Sequence, residues 1–344
     1  MAIDPSQPVQ AGEALLAYLS ALLGATALRF AEPPAPLGRG FDTHIYAFRL
    51  EADGLEPRWA QPLVLRLYTT ASQAEKAAKD AAVQRFASAF GYPALEPLAI
   101  EPVAERFGLP VMVMERVAGA PMLERMGVNP FHIARLFASM AEAHVQLHRL
   151  PVEGCPLPYD GPLVDRRLEE LRKRLDLAGL EEPKPGLRWL EDQSGTVRSE
   201  TVSLCHNDFH PLNIMVRDDG SLVVLDWTDA ALGDRHHDVA RTVVLFRFAW
   251  IAAESGMERL ALRLARGFLT SRYLGPYNKL FPVDRDRIHY WKALQAFHGW
   301  LQLLELERAS PAMSGARPEA VQRLPPELLP LVRDYFWELA RTSR

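Results

Sequence analysis

Cysteine is scarce. Cys155 and Cys205 are the only two in 344 residues and stand in no paired motif, which excludes a disulfide scaffold and points to a reducing compartment. Long hydrophobic runs are missing. The nearest, Thr242 to Ala253, is short and carries Arg247, so no membrane span is expected. A basic excess is missing too. Lys and Arg number 39 against 43 Asp and Glu, a formal net charge of −4. With no basic stripe either, nucleic acid is not an expected partner. The first residues, Met1 to Pro5, lack the basic-then-apolar order of a secretory signal, and a cytoplasmic location is expected. There is no internal repeat or low-complexity segment. The absence of G-x-x-x-x-G-K-[ST] excludes a P-loop. The absence of G-x-S-x-G, with Cys205 inside an apolar run, argues against a serine or cysteine hydrolase.

What is present is an ordinary globular composition, 48% apolar and 24% charged, at a length suited to about two domains. Leu15, Leu16, Leu19, Leu22 and Leu23 mark a helix over 12–24, closed by Gly24. The Pro- and Gly-rich stretch 31–40 reads as turns. His44 to Leu50 and Pro62 to Tyr68 read as strands, joined by a loop over 53–61. A helix follows over 72–90, then a strand over 109–117. Helices are expected over 131–150 and 163–180. Short strands fall at 201–205, 214–216 and 222–225, the last two joined by the turn Asp218-Asp219-Gly220-Ser221. Beyond 235 the chain reads as helical, with loops near 275–284 and 310–324. The fold class is therefore α+β. A strand-containing region, 1–117, precedes a mostly helical one, 118–344.

The informative stretch is His206-Asn207-Asp208-Phe209-His210-Pro211-Leu212-Asn213, followed 13 residues after Asn213 by Asp226-Trp227. The hairpin between them returns the chain, so Asp226 is expected beside Asn213. One amide oxygen and a carboxylate oxygen suit Mg²⁺ held partly by phosphates and water. Asp208 is then left to orient or deprotonate a hydroxyl. This is the arrangement of phosphoryl transfer.

These residues resemble the aminoglycoside phosphotransferase and choline kinase-like family, over nearly the whole chain. His206 to Asn213 resembles its catalytic loop H-G-D-x-x-x-x-N, with Asn207 in the place of Gly. Asp226-Trp227 resembles its metal-binding pair. Gly233-Asp234 and Asp238-Val239-Ala240 resemble the segment that follows. The resemblance implies a two-lobed protein-kinase-like fold, with ATP or GTP as donor, Mg²⁺ as cofactor and a small-molecule hydroxyl as acceptor. It implies Asp208 as the catalytic residue, supported by His206, and Asn213 and Asp226 as metal ligands. Val64 and Arg66 share one strand face by the period of two. They stand where the family has an Ala for adenine contact and a Lys for phosphate. Arg66 can still grip phosphate with two donors, partnered by Asp80, with Glu75 as second choice. Gly38 and Gly40 resemble the phosphate-covering turn, and Met114-Glu115-Arg116-Val117 the hinge that meets the purine. Asp234 and Asp238 are expected to support the loop and helix, and Asp229 to lie behind the metal ligands.

Other readings of the same residues are weaker. His206 and His210 are four apart, but no H-E-x-x-H or third ligand accompanies them as zinc would require. His144 and His148 read as packing histidines, and His236-His237 as loop. Tyr290, Trp291, Phe297 and Trp300 read as core, with a wall of the acceptor pocket as the alternative. Without H-R-D, D-F-G or A-P-E, a protein kinase is not expected. Glu305 and Glu307 are candidates for an acidic wall facing a cationic acceptor, with ordinary solvation as the alternative. A nucleotide-binding regulator without turnover is the rival function. A monomer or homodimer is expected.

Overall fold

The computed structural model describes residues 7–25, 27–39, 43–104, 107–127, 129–199, 201–252, 255–308 and 325–342. The chain forms two compact units, Met1–Ala120 with Met215–Thr228, and Pro121–Ile214 with Asp229–Arg344. The sequence division near residue 117 placed the 215–228 hairpin in the helical region, whereas its packing joins it to the first unit.

The first unit begins with helix α1 (Pro8–Leu23) and strands β1 (Arg29–Arg39) and β2 (Thr43–Glu51). The short helix α2 (Pro57–Ala60) falls within the stretch expected to be loop. Then come β3 (Leu63–Tyr68), α3 (Ala74–Ala89), β4 (Ala99–Ala104), β5 (Leu109–Glu115) and β6 (Gly119–Pro121). Five strands make one sheet in the order β1-β2-β3-β5-β4, antiparallel throughout. Residues 31–39 are strand rather than turns. β1 is an edge, where Pro33, Pro34 and Pro36 need supply no donors to a second neighbour, and register shifts absorb their geometry.

β3 is the central strand, and its alternation positions the site. Leu63, Leu65 and Leu67 bury against Ala11, Leu15 and Leu19 of α1. Val64, Arg66 and Tyr68 therefore point to the opposite face. There Val64 packs with Met112, Met114 and Ala81. The hairpin β8 (Ile214–Arg217) and β9 (Leu222–Val224) pairs with β6 in the order β6-β8-β9. Glycine is required at 119, because a Cβ there would lie 2.3 Å from the Val216 carbonyl oxygen.

The second unit holds α4 (Met122–Arg125), α5 (Pro130–His148), α6 (Leu163–Ala178) and α7 (Lys184–Gln193). β7 (Val202–Cys205) pairs antiparallel with β10 (Ala231–Asp234). Helices α8 (Arg235–Phe248), α9 (Gly256–Leu280), α10 (Arg285–Arg308) and α11 (Leu328–Thr342) complete it. His236 and His237 thus lie in α8, not in a loop. Trp291, Phe297 and Trp300 are fully buried with Phe336, so the aromatic stripe is core. α7 lies in a stretch that the sequence does not mark as an element. The loop expected from 275 begins only after Leu280, because α9 continues through Pro276. Proline inside a helix costs about 3 kcal/mol. The flanking Tyr273 and Tyr277 hold the helix in place, each fully buried and hydrogen-bonded at 2.7 Å to a histidine of α5.

Candidate active site

In the first unit, Arg66 bridges two carboxylates. Its Nη1 donates to Asp80 Oδ2 at 2.7 Å and its Nη2 to Asp226 Oδ1 at 3.0 Å. Of the two acids considered for Arg66, Asp80 makes the pair, while Glu75 is exposed. Asp80 is fully buried on α3 and also accepts from Gln84 Nε2 at 2.6 Å and from the Tyr68 hydroxyl at 3.4 Å. Burial pushes the Asp80 carboxyl upward, opposed by the Arg66 guanidinium. Three donors converging on it suit the ionised form. The two carboxylates outweigh the burial of Arg66 and hold its guanidinium above its ordinary range. Asp226 is the more exposed partner and also accepts from Thr228 Oγ1 at 2.9 Å. Its backbone is left-handed, at φ 62°, a conformation that Asp tolerates better than most residues.

Val64, Val117, Met215 and Leu225 are partly buried apolar side chains packed on Met112, Met114 and Val223. Glu115 Oε1 accepts from Arg217 at 3.3 Å. Val117 lies beyond the end of β5, outside its ladder. Gly38 is part of β1, registered with Ile45 rather than lying in a turn. Gly40 lies outside the described residues.

In the second unit, the loop after β7 carries Asp208. Its Oδ2 accepts from His210 Nε2 at 3.1 Å and Asn213 Nδ2 at 3.0 Å. Its Oδ1 accepts from Arg241 at 3.3 Å. The Leu212 N–H donates to His210 Nδ1, which assigns the ring proton to Nε2. Burial pushes the Asp208 carboxyl up, but His210 and Arg241 outweigh it and hold it well below the usual range. The Asn213 amide nitrogen also donates to the Asp208 carbonyl at 3.0 Å. This fixes the amide so that its oxygen is the group offered outward, as a hard cation requires. His206 is fully buried, and its Nδ1 accepts the Asp208 N–H at 3.3 Å. Its place is behind the loop, shaping it.

Asp238 on α8 anchors the loop from below. It accepts the backbone N–H groups of His206 and Asn207 and lies 3.0 and 3.2 Å from Nε2 of His144 and His148. Burial drives the His148 pKa down to about 3. Neutral His148 donates from Nε2 to Asp238 and accepts the Tyr277 hydroxyl at Nδ1. Asp234 caps α8 through the His236 N–H and takes the Trp291 indole N–H at 2.8 Å. Asn207 lies at φ 62°, which explains why Asn can stand where a Gly was expected. Its side chain donates to the Asp229 carbonyl at 3.0 Å and accepts from His237 Nδ1 at 2.8 Å. His237 Nε2 in turn meets Gln295 Nε2 at 2.7 Å.

Two residues of this constellation escaped the sequence reading as participants. Arg241 stands three residues after Asp238, on the same helix face by the 3.6-residue period, and that spacing was the available signal. His210 was weighed only as a zinc ligand. Its bond to Asp208, two residues away, depends on the turn at Pro211 and could not be read from residue types.

The fold of this chain is that of the protein-kinase-like phosphotransferases. The structure of aminoglycoside phosphotransferase APH(4)-Ia matches with a TM-score of 0.64 at 14% identity, covering 96% of this chain and 99% of that one. The choline kinase LicA of Streptococcus pneumoniae matches with a TM-score of 0.57 at 12% identity, covering 95% and 98%. The family model described as phosphotransferase enzyme family matches residues 35–277, and the chain belongs to that family. The aminoglycoside 3'-phosphotransferase of Streptomyces fradiae is 30% identical over 141 residues, covering 38% of this chain. That match spans about half the length of the curated relative.

Proposed function

We propose that this protein is a small-molecule kinase that moves the terminal phosphoryl group of ATP or GTP to a hydroxyl. The observation that carries this reading is the Asp208 carboxylate, fixed on both oxygens at the end of a loop that is itself anchored on Asp238. Family membership supports it. A relative of the same fold, a thermostable mutant of APH(4)-Ia, has been crystallised with ADP and hygromycin B.

Asp208 accepts a hydrogen bond from the acceptor hydroxyl and aims its lone pair at the phosphoryl group. A carboxyl held this far down is a weak base. It therefore orients the hydroxyl first and takes the proton only as the new P–O bond forms. His210 and Asn213 keep the carboxylate from rotating, and His206 holds the loop backbone. Arg66, fixed by Asp80, presents its guanidinium to the phosphates. Val64, Val117, Met215 and Leu225 form the apolar bed for the purine, with backbone groups near Glu115 and Val117 reading its edge. Asn213 would offer an amide oxygen and Asp226 a carboxylate oxygen to Mg²⁺, which when bound would neutralise phosphate charge. Most of the rate gain then comes from positioning and fixed charge.

The test is release of ADP or GDP across a panel of hydroxyl acceptors, with Asp208→Asn alongside. Acceptor-dependent release that is lost in the variant is the expected result. MgATP and MgGTP binding without release from any acceptor would favour a nucleotide-binding regulator instead.

A further inference from the structure

Arg241 is a guanidinium placed against the Asp208 carboxylate, with most of its hydrogen-bonding capacity unspent. Among the described residues its one partner is Asp208, reached through Nη2 at 3.3 Å, and its side chain keeps 23% of its exposure. A guanidinium carries five N–H donors in a rigid fork, so donors remain beside the carboxylate. Two further polar atoms of the second unit are buried without a partner among the described residues: Arg167 Nε on α6 and His298 Nδ1 on α10. Burial lowers the His298 pKa well below its usual value, and the charges of Arg174, Arg241 and Arg167 lower it further.

Two acids of the second unit, Glu170 and Glu305, are already engaged. Glu170 accepts from Arg167 at 2.9 Å. Glu305, a candidate for the wall facing a cation, is held by both forks of Arg174 at 3.0 and 2.7 Å. The uncommitted capacity against Asp208 is that of the Arg241 guanidinium, and neither of these carboxylates is spare. An ammonium on the acceptor would face the Arg241 guanidinium in a partly buried setting, where like charges repel strongly. An oxyanion would find an unfilled fork.

We infer that Arg241 receives an anionic group of the acceptor, so that the phosphorylated hydroxyl belongs to a carboxylate- or phosphate-bearing molecule and not to a cationic amino sugar or amino alcohol. This rests on the kinase reading above and narrows its substrate class. Arg241 is then a specificity residue, shared between the catalytic carboxylate and the substrate's charge.

The experiment uses the full chain with MgADP and reads the unfolding temperature on adding millimolar gluconate or glycerate (carboxylates), glycerol 3-phosphate (a phosphate), glycerol (neutral), and choline or kanamycin (cations). Nucleotide release with MgATP is followed in parallel. The oxyanions are expected to stabilise the protein and to be the better acceptors, and the carboxylate and phosphate arms tell the two sources apart. Arg241→Met should weaken the preferred anion by about tenfold or more, raising KM more than it lowers kcat, and Arg241→Lys should restore part of that binding. Cations ranking above anions, no anion binding at all, or anion binding unchanged in Arg241→Met overturns the inference. If Arg241→Met does not fold, the wild-type ranking and Arg241→Lys decide. A wild type that fails to bind MgATP or MgGTP defeats the kinase reading, and the inference falls with it. A wild type that binds nucleotide but prefers cations defeats only the inference.

Discussion

The backbone N–H of Asn207 donates to the carboxylate of Asp238 at 2.9 Å, although 31 residues separate them in the chain. That bond ties the Asp208 loop to a buried helix. The loop's geometry is therefore set by the helical core as well as by its own turn residues.

Removing the tie should be costly. Asp238→Ala strands two backbone N–H groups and removes the partner of two buried histidines, so unfolding should require about 3–5 kcal/mol less free energy. Urea denaturation checks this. A loss below about 1 kcal/mol would show the carboxylate to be dispensable.

Arg66 serves two carboxylates at once, and a single ammonium cannot reproduce that fork. Arg66→Ala should destabilise by about 3–5 kcal/mol, because Asp80 is left buried without its cation. Arg66→Lys should cost less stability but still weaken MgATP binding. Calorimetric titration of both variants is the check, and wild-type affinity in Arg66→Ala would sink the phosphate role.

Position 207 separates two demands. Asn207→Gly keeps the left-handed backbone but loses the side-chain bonds to His237 and the Asp229 carbonyl. Asn207→Val loses both, and the strain adds about 1–2 kcal/mol. Stability should fall in the order wild type, Gly, Val. Equal losses would mean that the backbone angle carries no weight.

Acid should weaken the fold well above the carboxylate range. His148 and His237 are buried, and burial drives each to a pKa of about 3 from an ordinary 6.5. Between those values the unfolded chain binds more protons than the folded one, so stability rises with pH. Moving from pH 7.5 to 5.5 should lower the unfolding free energy by about 2–3 kcal/mol for the two together. Denaturant titrations at the two pH values test this. A flat profile would mean that both rings accept protons inside the fold.

Much of the fold was legible because periodicity is local. Leu63, Leu65 and Leu67 alternating with Val64, Arg66 and Tyr68 mark a strand and the face shared by Val64 and Arg66, and the structure makes that strand the centre of the sheet. β1 was hidden by its prolines, since a rule about proline in strands says nothing of whether a strand is an edge. The loop boundary at Pro276 was misread because Tyr273 and Tyr277 are fixed by partners 129 residues away, which no window along the chain contains. In the candidate site, residue type and spacing single out Asp208, Asn213 and Asp226 as candidates. They did not reach the bonds of His210 and Arg241 to Asp208, because those depend on a turn and a helix docking that residue types do not encode.

The hairpin Met215–Thr228 packs with the first unit while the residues on either side of it pack with the second. Neither unit is therefore one continuous stretch of gene. No single cut, splice or fusion point separates them, and residues 1–120 expressed alone would lack strands that β6 needs beside it. A recombination at any one point in the gene would always divide one of the two units.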